Sequence, residues 1–371
     1  MTVCSSGDLN LMKQASIIGL ALGVLVAGAA PLPGQVVPQV SGGPGWVVGS
    51  AAHVDLWYHG LAVVGYDGLS PLPLYAPDYA AHIKSAKEAK GLYPTTLDRL
   101  RSYFRIAFAT DSTFEIFHFL PLYFGSPEPE PMLAALAAAA RGETREEFGA
   151  RVLSEVLRKK NQREIAGQFI AALEEEWRVF LRAHREAESP RRDAYLAAVE
   201  RQWQERMEPA LEGWLMDRRL DRGVVIASPA IGPEGRIFLG EPDDPGDNVV
   251  AVGMPLALDD PEVVLFAAVR ELCYPIASRE VARQGVPGND RVTAERVSSR
   301  AAVRCGAMLL DVRAPELATR YRDAYVRAAK LDPARVTFDN AFPVDSQLLK
   351  DVRRELRLPN LREDGGVGSK E

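Results

Sequence analysis

Val263 to Ala282 reads VVLFAAVRELCYPIASREVA, and its reading decides the fold. Just before it, Asp259-Asp260-Pro261-Glu262 puts acids at the positive end of a helix and proline in the first turn, a strong helix start. The segment is apolar nearly throughout, yet Arg270, Glu271 and Tyr274 interrupt it at its middle. Pro275 adds a local mark, because its ring clashes with the carbonyl of Glu271 and should bend or end the regular helix there.

Around this helix the pattern is that of a small sheet among helices. Residues 224–227, 236–239 and 249–254 are short β-branched or aromatic runs, the first two flanking an Ile-Gly-Pro-Glu-Gly turn that signals a hairpin. Helices are expected over 261–283, 290–312, 314–330 and 345–357, and residues 361–371 form a disordered tail. Upstream, 31–50 reads as an extended linker or first strand, followed by helices at 51–66, 78–90, 95–109, 111–124 and 128–140. Thr96 and Asp111 offer N-caps without a full capping box. Residues 143–186 are helix-patterned throughout, and Ser189-Pro190 starts a further long helix. The aromatic-rich stretch FEIFHFLPLYF (114–124) reads as core. These segments make an α+β, mostly helical fold: a signal-type segment with an upstream extension (1–29), a helical region (30–222), an α+β region (223–360) and the tail.

The N-terminus points to export. Lys13 precedes an apolar run from Ala15 to Ala30, and Ala27-Gly28-Ala29 satisfies the small-x-small cleavage rule. A membrane anchor is the alternative, although about 20 apolar residues are wanted for a span. The net charge of −6 carries no basic footprint, which argues against a nucleic-acid partner. Cys273 and Cys305 read as two small buried free thiols, with a disulfide as the alternative.

The segment 223–330 resembles the zincin-type metallopeptidases, nearest to the gluzincins. In that family an H-E-x-x-H helix binds zinc through an i,i+4 histidine pair, its glutamate is the general base, and the next helix supplies a glutamate ligand. Here the five residues are Arg270, Glu271, Leu272, Cys273 and Tyr274. The resemblance makes VVAVGMP the edge strand, Glu271 a vestigial general base, and Arg270, Tyr274 and Glu295 degenerate ligand positions. Glu295 lies 24 residues after Glu271. An arginine offers no lone pair, a tyrosine ligates only as phenolate, and all five histidines lie at or before His184. No metal or other cofactor is therefore expected. If the alignment holds, Arg270 should reach Glu295 and stand in for the zinc charge, with the Tyr274 hydroxyl close by.

Other constellations carry less. His53, Asp55 and His59 could be ligands but read as satisfied core residues, Ser228 and Ser298-Ser299 lack a G-x-S-x-G context, and nucleotide-binding glycine motifs are absent. The sequence thus points to an exported, catalytically silent metallopeptidase-like protein that binds a protein or peptide in the cell envelope. The competing readings are a hydrolase with an unrecognised site and a structural helical envelope protein.

Overall fold

The computed structural model describes residues 45–66, 72–240, 248–285 and 291–357. The export segment, most of the Pro/Gly-rich linker and the C-terminal tail lie outside the described residues.

Four strands form one sheet in the order β1-β2-β4-β3: β1 (Trp46–Gly49), β2 (Gly223–Ser228), β3 (Arg236–Phe238) and β4 (Val249–Gly253). β1, β2 and β4 are parallel, and β3 runs antiparallel on the outer edge of β4. Every residue of β2 and β4 is buried. Strands apolar on both faces need cover on both sides and a neighbour at each edge. That requirement overturns two expectations. β2 and β3 do not pair as a hairpin, and VVAVGMP is an interior strand. The turn after β2 bonds instead to residues 74–76, through Gly232 N–H to the Leu74 carbonyl (2.6 Å) and Ala76 N–H to the Ala230 carbonyl (3.1 Å).

The pleat sends alternate residues to two different cores. Val224, Ile226, Val249 and Ala251 face helices of the N-terminal half: α1 (Ala52–Val64), α3 (Thr96–Thr110), α4 (Pro129–Ala140), α5 (Phe148–Val156) and α6 (Lys160–Glu176). α2 (Tyr79–Ala89) adds Tyr79 and Ile83 to the same core. Val225, Ala227, Val250 and Val252 face α7 (Arg182–Gln202), α8 (Glu208–Asp217), α9 (Glu262–Gln284), α10 (Arg291–Arg313) and α11 (Pro315–Ala328). The short α12 (Phe338–Ala341) and α13 (Ser346–Glu355) complete that side. The molecule is mostly helical with a small mixed sheet between the two helical layers.

One continuous helical run, α6 through α8, passes between the layers. Phe169, Leu173 and Phe180 belong to the first core, whereas Tyr195, Val199, Trp203 and Met207 belong to the second. Two π turns, Trp177–Leu181 and Trp203–Met207, interrupt it. Each adds a residue to a turn and advances the apolar stripe by about 100°, which helps the stripe follow its changing neighbours. Pro190 sits inside α7 and does not start a helix; buried Phe180 and Leu181 in the π turn before α7 and Tyr195, Leu196 and Val199 after the proline hold the run together. Likewise α9 runs past Pro275 to Gln284.

Elsewhere the boundaries tighten. The 111–124 stretch is two 3-10 segments, Ser112–His118 and Leu120–Tyr123, and the 143–186 pattern breaks between α5 and α6. Thr95 caps α3 in a full capping box with Asp98, one residue before the expected cap.

Candidate functional site

The middle of α9 meets the β3 edge and α10 in a buried ion cluster. Arg270 and Glu271 are 0% and 1% exposed, and Glu234, in the turn before β3, is 0% exposed. The Arg270 guanidinium donates to the Glu271 carboxylate and to Ser299 Oγ (2.9 Å), and its Nη2 lies 3.2 Å from Glu234 Oε2. Ser299 donates in turn to Glu234 Oε2 (2.9 Å). The Gly235 N–H donates to Glu271 Oε1 (2.8 Å). Position 235 must be glycine for this approach, because a Cβ would collide with the Ala251 carbonyl and Glu271 Cγ. Arg236 closes the other side, with Nη1 2.8 Å from Glu234 Oε1 and its guanidinium 5.4 Å from the Phe119 ring.

Two arginines and two glutamates therefore neutralise one another out of water. Burial is the largest influence on Glu271 and raises its pKa. The Glu234 charge adds to the rise, and Arg270 and Arg236 oppose it. For Arg270, burial is again the largest influence and opposes the charge, but the two carboxylates overcome it and hold the guanidinium charged. A general base must reach water or substrate. The Glu271 carboxyl is nearly sealed, with one oxygen already accepting two hydrogen bonds.

At the rim, the Tyr274 hydroxyl donates to Glu295 Oε2 (2.8 Å), and the Arg270 guanidinium lies 5.1 Å from the Tyr274 ring. Arg270 and Glu295 thus make no direct ion pair. The tyrosine ring stands between them, because Glu271 and Glu234 are nearer partners for the guanidinium. Cys273 and Cys305 form a disulfide that ties α9 to α10, so the free-thiol reading is corrected. Both belong to facing apolar helix surfaces, with Cα atoms 5.8 Å apart, within the span a disulfide allows.

Glu234, Arg236 and Ser299 had no chemical signature in the sequence. Glu234 sits in a turn-type stretch, and Ser299 lies outside any G-x-S-x-G context. The one available signal was the pair of glycines around Glu234, which permit close backbone approach.

The histidines lie in the opposite layer. His59 bonds through Nδ1 to the Tyr79 hydroxyl (3.0 Å) and through Nε2 to Glu176 Oε1 (3.1 Å). Lys87 Nζ reaches the same oxygen (2.6 Å), Asp98 (2.8 Å) and Thr95 Oγ1 (3.3 Å). Burial works to raise the Glu176 pKa, but the hydrogen bond from His59 and then the Lys87 charge overcome it, leaving the carboxyl at about 2. His53 is lowered to about 4, chiefly by burial, and Asp55 pairs with Arg185 (2.7 Å). Most of the 114–124 stretch is buried in this core, while Phe119 and Tyr123 turn toward β3.

Among the described residues, no three His, Cys, Asp or Glu side chains converge as a metal-ligand group, and no helix is long and apolar enough to cross a membrane. No protein-family model, curated protein or solved structure matches the chain.

Proposed function

We propose that the protein is an exported, non-catalytic relative of the zincin-type metallopeptidases that acts by binding a protein or peptide in the cell envelope. The observation that carries the reading is the sealed ion cluster at the motif position. Arg270 supplies a permanent positive charge there, and Glu271 and Glu234 neutralise it at near-zero exposure. A guanidinium has no lone pair, so it substitutes for the charge of a metal ion without its Lewis acidity. Two features of the surroundings fit the same ancestry. An antiparallel strand, β3, edges the sheet beside α9, and α10 brings Glu295 against Tyr274, one turn along from Arg270. With catalysis silenced, the remaining asset of such a scaffold is its surface.

The test is metal content with a designed reversal. Purified protein equilibrated with zinc and then dialysed should hold no stoichiometric zinc. The double variant Arg270→His with Tyr274→His should gain it, using Glu295 as third ligand. Stoichiometric zinc in the unaltered protein, or chelator-sensitive peptidase activity, overturns the silent-enzyme reading. A folded double variant with no added zinc overturns the zincin alignment.

A further inference from the structure

A recess of about 330 Å³ opens between α10, α11, α12 and α13, away from the α9 cluster. Four cations line it: Arg304 from α10, Arg322 from α11, and Lys350 and Arg353 from α13. Two carboxylates, Asp311 and Asp339, line it as well, leaving two positive charges in a chain whose net charge is −6. The two groups of cations differ in how they are held. Arg304 pairs with Asp339 (3.0 Å) and donates to the Phe342 carbonyl (3.4 Å), and Arg322 pairs with Asp311 (2.5 Å). Both guanidinium groups also lie against the Phe338 ring, at 5.6 and 5.8 Å. They are oriented in advance, and each keeps N–H donors beyond those its carboxylate uses. Lys350 and Arg353, by contrast, have no carboxylate partner among the described residues. The floor is apolar, with Phe338 joined by Met308 and Leu349.

We infer that this recess binds a phosphate monoester attached to an apolar or aromatic body. Charge selects the dianion: two unneutralised cations beside two pre-aimed guanidinium forks match a phosphate monoester better than a single carboxylate. The volume falls at the lower end of small-ligand pockets, and a floor of Phe338, Met308 and Leu349 suits the organic part. The same chemistry is presented by a free phosphate monoester and by the headgroup of phosphatidic acid.

Isothermal titration with phenyl phosphate, benzoate and inorganic phosphate tests the site on the full chain. Co-sedimentation with phosphatidylcholine vesicles, with and without phosphatidic acid, tests the lipid source. Phenyl phosphate should bind saturably and more tightly than either other probe. Lys350→Gln with Arg353→Gln should weaken it at least tenfold without shifting the thermal midpoint, since neither makes an ion pair among the described residues. Phosphatidic-acid-dependent sedimentation lost in that variant, without phenyl phosphate binding, assigns the site to the headgroup. Benzoate binding as tightly as phenyl phosphate overturns the dianion assignment. Absence of both solution and vesicle binding, or binding unchanged in the variant, overturns the site.

Discussion

Two buried ion clusters occupy opposite layers of this protein. In the first, Lys87, His59, Glu176 and Asp98 are gathered from α2, α1, α6 and α3. In the second, Arg270, Glu271, Glu234, Arg236 and Ser299 join α9, the β3 edge and α10. Both are shut away from water and both have closely spaced charged partners. They differ in charge balance. The α9 cluster sets two guanidinium groups against two carboxylates, with a hydroxyl and a backbone N–H adding hydrogen bonds, while Arg270 Nε and Arg236 Nε are buried without a partner. The Lys87 cluster asks one ammonium to serve two carboxylates, and Glu176 Oε2 is buried without a hydrogen-bond partner. Only the α9 cluster has two charged members adjacent in sequence, which is why it alone resembled a motif. Burial and pairing therefore do not by themselves mark a site of chemistry.

The comparison breaks most visibly at Arg270. Arg270→Met should cost about 3–5 kcal/mol, because it strands the Glu271 carboxylate in the core, Glu234 keeping Arg236 as a partner. Urea denaturation followed by circular dichroism measures it, and a change below about 1 kcal/mol would show that the cluster is not closed in solution.

The next effect lies on the helix that carries His59. His53 stays neutral in the folded state down to about pH 4, whereas an unfolded histidine protonates near 6.5. Its folded pKa is depressed, so its contribution is complete above pH 6.5 and is lost as the pH falls toward 4. The loss is on the order of 3 kcal/mol. Thermal midpoints across that window should fall in the native chain and fall less in His53→Asn. Equal slopes would assign the acid sensitivity elsewhere.

Glu176→Gln should be milder than Arg270→Met, about 2 kcal/mol, since Lys87 keeps Asp98 as a partner. The same variant sharpens the acid limb. A carboxyl held at about 2 contributes stability that is complete above the unfolded value near 4.5 and is lost as pH falls through 2. That loss should be absent from denaturation midpoints of the glutamine variant. The smallest change expected is Thr95→Ala, about 1 kcal/mol, from the lost helix cap. An effect as large as that of Arg270→Met would mean that Thr95 organises the cluster beyond its capping role.

Much of the secondary structure was legible because it is local. The apolar periodicity around Trp177, Tyr195 and Trp203, and the Asp259-Asp260-Pro261-Glu262 start, mark helices without reference to any neighbour. The start is realised with the Asp260 carboxylate accepting from Glu262 N–H (2.9 Å). The failures have a common origin. A hairpin across Ile231-Gly232 was a sound local inference, but β2 is apolar on both faces and takes β1 and β4 as neighbours, from 177 residues upstream and 25 downstream in register. Ser189-Pro190 resembles a helix start because a serine can cap and proline fits the first turn. The apolar side chains on both sides of it carry the helix through. The Cys273–Cys305 disulfide is not legible locally, because nothing in chain length or composition says that two helices face each other at those positions.

By itself the sequence determined where most of the helices lie, that the chain is helix-rich with a small sheet, and that a polar triad of Arg270, Glu271 and Tyr274 interrupts an apolar helix. Those are properties of neighbouring residues, set by backbone periodicity and side-chain polarity. Only the tertiary structure decided strand order, the disulfide, and the partners of that triad. Glu234 and Ser299 approach Arg270 from 36 and 29 positions away, and Glu295 is held off by the Tyr274 ring. A buried charge selects whichever opposite charge the fold brings nearest, and that proximity depends on how sheet and helices pack.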